Sequence, residues 1–386
     1  MTRAALDPVR QVVPLLSLAA FVSSAAMRLG DPLIPQVSAE FSASTGTVAW
    51  MVTAFAVAYG VFQLVYGPLG DRHGKLRVIG LALLASALTA LAAAFAGSLA
   101  VLVAARFIGG VTTAAVIPLS LAYIGDSAPY AERHAVLARY MSGQILGLLG
   151  GQVAGGVIGD LMGWRMVFVL LAGAYLLIAA LLLWRTWTVP PLRAQGAGGG
   201  ALRLLARPRV RLVSGAVTVE GLLFYGAFTF CGAMLHDRLG LDFTAVGMVL
   251  GCFALGALVY VVFVQRFIGR LGERGMVRVG ALLIGGAFVA LALLDSVLLA
   301  VPALFLAGLG FYLVHTTLQL NGTQMAPEAR GSGIAIFACG LFAGQAVGAA
   351  LGGLIVDRLG DPPLFLACGL AFLVFGEVVA RQVVGR

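Results

Sequence analysis

The sequence predicts an all-α polytopic membrane protein: twelve spanning helices in two six-helix bundles. Three observations carry that prediction. The 386-residue chain is 61% hydrophobic and only 11% charged, with a mean hydropathy of +1.01; soluble domains carry roughly 25% charged residues. Apolar runs of about 20 residues, enough to cross a bilayer, recur from end to end with short polar breaks. The basic residues also sit at alternate breaks. Of 25 Lys and Arg, 20 fall at the N-terminus, the C-terminus or the even-to-odd connections. Arg165, Arg238 and Arg358 lie at the opposite ends, and Arg28 and Arg106 lie inside spans. Basic loops are retained in the cytoplasm, so both termini are expected there. A β-barrel would show short alternating segments instead.

The first six spans are expected near 12–35, 47–69, 78–96, 100–124, 136–159 and 165–187. The first run is too long for a signal peptide, carries Arg28 and Asp31, and has no small-residue cleavage site, so it is read as span 1. Residues 188–209 then break the pattern with paired prolines, a glycine run and dense arginine, which reads as a flexible linker between two domains, 1–187 and 210–386. The second six spans are expected near 210–235, 243–267, 277–295, 299–321, 332–356 and 362–384. An internal echo supports duplication. Gly147, Gly151, Gln152, Gly155 and Gly159 match Gly340, Gly344, Gln345, Gly348 and Gly352 at a constant offset of 193 residues.

A net charge of +9 with a pI near 9.9 would suit a nucleic-acid partner, but a nucleic-acid surface would not follow the parity of the spans. Cys231, Cys252, Cys339 and Cys368 lie in apolar runs without metal-ligand spacing and read as packing residues. No metal and no cofactor is expected. Phosphate-binding loops, zinc-protease motifs and nucleophile elbows do not occur, so an enzyme is not expected either. Asn321-Gly322-Thr323 matches a glycosylation triplet, but sits at an expected cytoplasmic helix end.

Between spans 2 and 3 lies Gly67-Pro68-Leu69-Gly70-Asp71-Arg72-His73-Gly74-Lys75, a polar, glycine-rich hairpin between two apolar runs. Glycine allows a close turn, and Asp71 suits the free backbone donors of a helix start. The segment resembles the signature loop of the major facilitator superfamily. Three further segments are similar to motifs of that superfamily. Arg106-Phe107-Ile108-Gly109-Gly110 resembles its Arg-x-x-x-Gly motif in span 4. Gly147-x-x-x-Gly151-Gln152-x-x-Gly155-Gly156 resembles the antiporter motif of its proton-driven drug-efflux branch, with Gln152 where that branch has proline. Gly163-Trp164-Arg165-Met166-Val167-Phe168 matches an element that often opens span 6. A degraded copy of the hairpin, Gly269-Arg270-Leu271-Gly272-Glu273-Arg274-Gly275, falls between spans 8 and 9.

The resemblance implies a monomeric secondary carrier in a bacterial inner membrane, whose partners are the lipid bilayer, a small molecule and protons. It implies a conformational gate at Gly67, Gly70, Asp71, Arg72 and Gly74, in which the aspartate contacts span 4 and the start of span 11. Asp126, at the expected cytoplasmic end of span 4, is placed by topology to join Arg72 or Arg77. The plainer reading of both acids is loop solvation. For the ladder of Gly147, Gly151, Gly155, Gly156, Gly344 and Gly348, with Gln152 and Gln345, close helix packing is one reading. A mobile interface between the halves is the other.

An ionisable residue deep in a spanning helix costs about 2.5–3.5 kcal/mol on insertion scales, so it needs a partner or a wet cavity. Arg28 and Asp31 are three apart and share one helix face. Arg106 lies at a similar depth, so Asp31 is expected either to alternate between proton binding and pairing with Arg106 or to form a static pair. Glu220, in span 7, reads as a second proton site, a counter-ion for a cationic substrate or a protonated packing group. Phe224, Tyr225, Phe228, His315, Gln319 and Asn321 are candidates to line the cavity. The reading favoured here is proton-coupled export of a small amphipathic molecule. Proton-coupled import, uniport and a non-transporting membrane sensor are the alternatives.

Overall fold

The computed structural model describes residues 7–128, 130–186, 204–293, 296–326 and 330–384, so most of the expected linker lies outside the described residues. The described residues are nearly all helical and fall into the twelve spans. Span 1 is α1 (Asp7–Arg28), a 3-10 turn (Asp31–Leu33) and α2 (Ile34–Phe41); span 2 is α3 (Thr45–Val48) and α4 (Trp50–His73). Span 3 is α5 (Lys75–Ala94), span 4 is α6 (Leu99–Thr113) with α7 (Val116–Ser127), span 5 is α8 (Tyr130–Met162) and span 6 is α9 (Trp164–Thr186). Span 7 is α10 (Pro208–Phe228) with α11 (Cys231–Asp237). Spans 8 and 9 are α12 (243–271) and α13 (273–293), followed by α14 (Val297–Gln324), α15 (Arg330–Leu359) and α16 (Asp361–Gln382).

Three spans are broken near mid-depth. In span 1, Pro32 and Pro35 cannot donate to the helical ladder, and the chain passes through a 3-10 turn at Asp31. In span 4 the ring of Pro118 opposes the carbonyl of Ala114, where α6 gives way to α7. In span 7 the Thr229 hydroxyl donates to the Tyr225 carbonyl at 2.7 Å, a local bond that bends helices.

The 67–75 segment is not a loop. α4 continues to His73, α5 begins at Lys75, and the turn is the single residue Gly74, at φ 90° and ψ 122°. Only glycine takes that conformation without strain. Gly272, at φ 60° and ψ 174°, does the same for the degraded copy. Gly256 and Gly280 both pack on one short stretch of α14, against Phe305 and Leu309 and against Gly310 and Val314 respectively. In one straight helix they would stand about 36 Å apart. The chain therefore reverses at Gly272.

Buried residues of spans 1–6 form one apolar core, which only Phe342 joins from the second half. Those of spans 7–12 form another, joined by Ala49 from the first half. Most of the glycine ladder packs inside the bundles, and Gly156 alone of the named glycines lies on the seam between the halves. Gly147, Gly151, Gly155 and Gly159 pack on Phe21, Ala25, Leu29 and Leu33 of span 1. Gly340, Gly344, Gly348 and Gly352 pack on Ser214, Thr218, Leu222 and Gly226 of span 7. Each contact in the first set maps onto the second by the same 193-residue offset. The missing side chains let the backbones of paired helices touch.

The seam between halves is made by span 5 on span 8 and by span 2 on span 11. Gly156 faces Phe243 and Gly247; Gly60 faces Phe342. At the end away from the linker the seam is bolted. Asp357 accepts from Ser44 Oγ at 2.6 Å and from the Gly46 amide at 2.9 Å, while Asp160 accepts from Thr244 at 2.7 Å. Toward the linker end the seam parts. Gly67, two turns beyond Gly60 on α4, has nothing within 4 Å of a Cβ placed there. Leu146 and Leu255, one turn toward the linker from the Leu149–Gly251 contact, are exposed.

Candidate functional site

The break in span 1 meets span 7 where the two halves touch. Arg28 ends α1 and Asp31 opens the 3-10 turn, so the i,i+3 spacing becomes an ion pair, Arg28 Nη1 to Asp31 Oδ2 at 3.5 Å. Both side chains are buried. Arg28 also reaches the other half: its guanidinium lies 4.2 Å from the Tyr225 ring centroid and 5.7 Å from that of Phe228. Such a cation–π contact gains strength when it is desolvated. The Asp31 carbonyl packs on Gly232, where any side chain would collide with it. A charge pair of one half is therefore held against aromatic rings of the other.

One turn before Tyr225, the fully buried Glu220 meets His315 of span 10, Oε2 to Nδ1 at 3.0 Å. The imidazole is stacked on Phe311, 5.1 Å between centroids and 7° between planes. Sequence reasoning named both residues without pairing them, because the bond crosses 95 residues of chain.

Several expected placements are corrected. Arg106 does not pair with Asp31: it donates to the carbonyls of Ala26 at 3.1 Å and Met51 at 3.4 Å, and lies 4.2 Å over Phe55. It ties span 4 to the backbones of spans 1 and 2 inside its own bundle. Phe224 and Phe228 are fully buried, stack on each other and pack tilted against Phe253, so they build the second core rather than line a cavity. Gln319 is on an exposed helix face. Asn321 accepts from Arg209 at 2.6 Å and thereby fastens the start of span 7 to the end of span 10. Of the six cavity candidates, Tyr225, Phe228 and His315 reach the charged site.

The gate residues gather around Lys75, which the expected network omitted. Its buried ammonium bridges Asp71 at 2.8 Å and Asp126 at 3.0 Å, so Asp126 meets Lys75. The i,i+4 spacing from Asp71 to Lys75 was the available signal. Gly70 lets α4 close on Leu119 of span 4. These contacts lie within the first half; the side chains at the start of span 11, where the other contact is expected, lie outside the described residues. Lys75→Met leaves two carboxylates facing each other, and the expected loss is about 1 kcal/mol, since both acids are partly solvated. A lower melting temperature of the purified variant checks this.

Residues 16–338 match the family model for the Major Facilitator Superfamily. The chain belongs to that superfamily. It is 26% identical over 338 residues to the MFS-type transporter YceJ of Bacillus subtilis (strain 168), covering 84% of each chain. It is 26% identical over 398 residues to a chloramphenicol resistance protein of Pseudomonas aeruginosa, covering 97% of this chain and 91% of that one. Among solved structures it superposes on a mutant of the nucleoside transporter NupG with a TM-score of 0.77, at 14% identity, over 96% of this chain and 98% of that one. As an MFS protein it is a multi-pass membrane transporter, not an enzyme, and the bilayer and a small-molecule substrate are its partners.

Proposed function

We propose that this MFS protein is a proton-coupled antiporter that exports a small amphipathic molecule by alternating access. The two bundles are the rocking units, and the basic linker end faces the cytoplasm. On that orientation the parted seam opens inward, and the Asp357 and Asp160 bolts close the outside.

The observation that carries the reading is the Arg28–Asp31 pair held against Tyr225 across the seam. Opening the outside withdraws Tyr225 from Arg28 and admits water to the break. The electrostatic surroundings of Asp31 thus differ between the two states, and its proton affinity differs with them. A carboxylate with two state-dependent affinities is what exchange of a proton for a substrate requires. Glu220, with His315, supplies a second protonatable pair on the opposite bundle. Arg106 acts as a positioning group that holds the backbones around the break. Export, as the direction of transport, is supported by similarity to a resistance protein.

The test is proton movement in inside-out vesicles energised acid-inside, with chloramphenicol and a panel of drugs, sugars, amino acids and nucleosides added outside. Proton release from the lumen on adding a compound is the expected result. Uptake into right-side-out vesicles driven by an inward proton gradient, with no release in the first assay, makes the protein an importer. Transport of any compound that ignores the proton gradient makes it a uniporter.

The parted seam gives a second expectation. Gly67 faces open space now and comes against span 11 when the linker end closes. Gly67→Leu should therefore leave the melting temperature within a degree or two of wild type and reduce transport at least tenfold. A matching fall in stability would place Gly67 in a static contact instead.

A further inference from the structure

Gln152 and Gln345 are offset-related residues, each following a ladder glycine, and their side chains are not among the contacts that explain the ladder. Gln152 is 1% exposed and Gln345 3%. Both side-chain polar atoms of Gln152, and Oε1 of Gln345, have no hydrogen-bond partner among the described residues. Buried polar atoms of native proteins are nearly all paired, and the exceptions need a reason.

Their directions follow from the helix. Successive residues turn by about 100°, so Gln152 stands between the Gly151 side of span 5, packed on span 1, and its Gly156 side, packed on span 8. Gln345 stands between the Gly344 side of span 11, packed on span 7, and its Phe342 side, packed on span 2. Leu161 and Leu354, also related by the offset, mark the opposite, exposed flanks. Both amides therefore point to the axis between the halves. They also share a depth. Gly151 and Gly155 bracket Arg28 through Ala25 and Leu29, and the backbone nitrogen of Gln345 packs on Gly221, next to Glu220.

The charges at this depth are matched internally: Arg28 pairs with Asp31, and Glu220 bonds His315. Arg106, the third charge near this depth, is held by the Ala26 and Met51 carbonyls inside its own bundle. The neutral capacity left unmet is the Gln152 amide, donor and acceptor, and the Gln345 Oε1 acceptor, on two elements that approach from opposite bundles. We propose that Gln152 and Gln345 form a two-sided substrate clamp for an uncharged head group bearing both a donor and an acceptor, an amide or a hydroxylated amide. The Tyr225 ring takes the apolar remainder. This rests on the transport reading and narrows its substrate class. Each half supplies one jaw, so occupancy reports on both halves at once.

The test uses Gln152→Leu, Gln345→Leu and the double variant in the full chain. Removing unpaired buried amides should leave the ligand-free melting temperature equal to or above that of wild type. Chloramphenicol, which is uncharged and carries an amide and hydroxyls, should raise the wild-type melting temperature and lose at least tenfold in affinity in each variant. Tetraphenylphosphonium, a cation without hydrogen-bonding groups, should show no dependence on either glutamine. A fall of several degrees in the ligand-free melting temperature of both variants makes the glutamines structural and overturns the clamp. Chloramphenicol binding that is absent in wild type, or unchanged in the variants, overturns it too. Proton-coupled tetraphenylphosphonium transport alongside either of those results would sink the clamp while leaving the antiporter reading standing.

Discussion

Asp31→Asn is expected to abolish proton-coupled transport while the protein folds, inserts and purifies as the wild type does. Asparagine has nearly the same shape and can still face Arg28, but it cannot exchange a proton. The residue is fully buried at the break in span 1, and its ion pair with Arg28 spans 3.5 Å. The substitution leaves Arg28 in contact with the Tyr225 ring, which limits the structural loss. Gradient-driven accumulation should fall by at least a hundredfold. Substrate exchange without a gradient, which needs no net proton transfer, should survive. Full gradient-driven transport in the variant would remove Asp31 from the coupling mechanism. Loss of exchange as well, with normal melting, would assign Asp31 to substrate binding.

The largest expected effect on stability is Gly344→Val. A Cβ there collides with the backbone carbonyl of Thr218, and the next nearest atoms are also backbone, of Thr218 and Leu222. A flexible side chain could yield, but a helix backbone cannot without moving span 7. Overpacking typically costs about 1–3 kcal/mol, and this site belongs at the top of that range or beyond it. The expected outcome is loss of monodisperse protein on extraction, or a melting temperature many degrees lower. Gly173→Ala is the control. Its Cβ meets nothing within 4 Å, and alanine in place of glycine favours a helix interior by about 1 kcal/mol. Equal behaviour of the two variants would remove the close backbone contact as the ladder's reason.

The ladder illustrates how far a pattern reads. Its repeat at 193 residues was visible, and so was the duplication it implies. Its partner was not. Small residues four apart say that something approaches closely, and spans 1 and 8 both lie beside span 5. Only the structure assigns Gly147, Gly151, Gly155 and Gly159 to span 1, Gly156 to span 8 and the Gln152 flank between them to the axis. The same limit applied to Arg106. A buried cation announces a need for partners, and main-chain carbonyls, which leave no trace in the sequence, met that need as well as a carboxylate would.

Fold class, number of spans, duplication and the few charged residues inside the spans were all legible in the order of amino acids. Each of these rests on local or periodic properties: hydropathy over about 20 residues, the parity of basic loops and the cost of an intramembrane charge. Which charges meet became visible only in three dimensions. Arg28 finds Tyr225, Glu220 finds His315, Lys75 gathers Asp71 and Asp126, and Asp357 bolts span 11 to Ser44. Most of these pairs join helices far apart in the chain. Their geometry depends on the rotation and depth of each helix within its bundle, which side-chain packing fixes and composition does not.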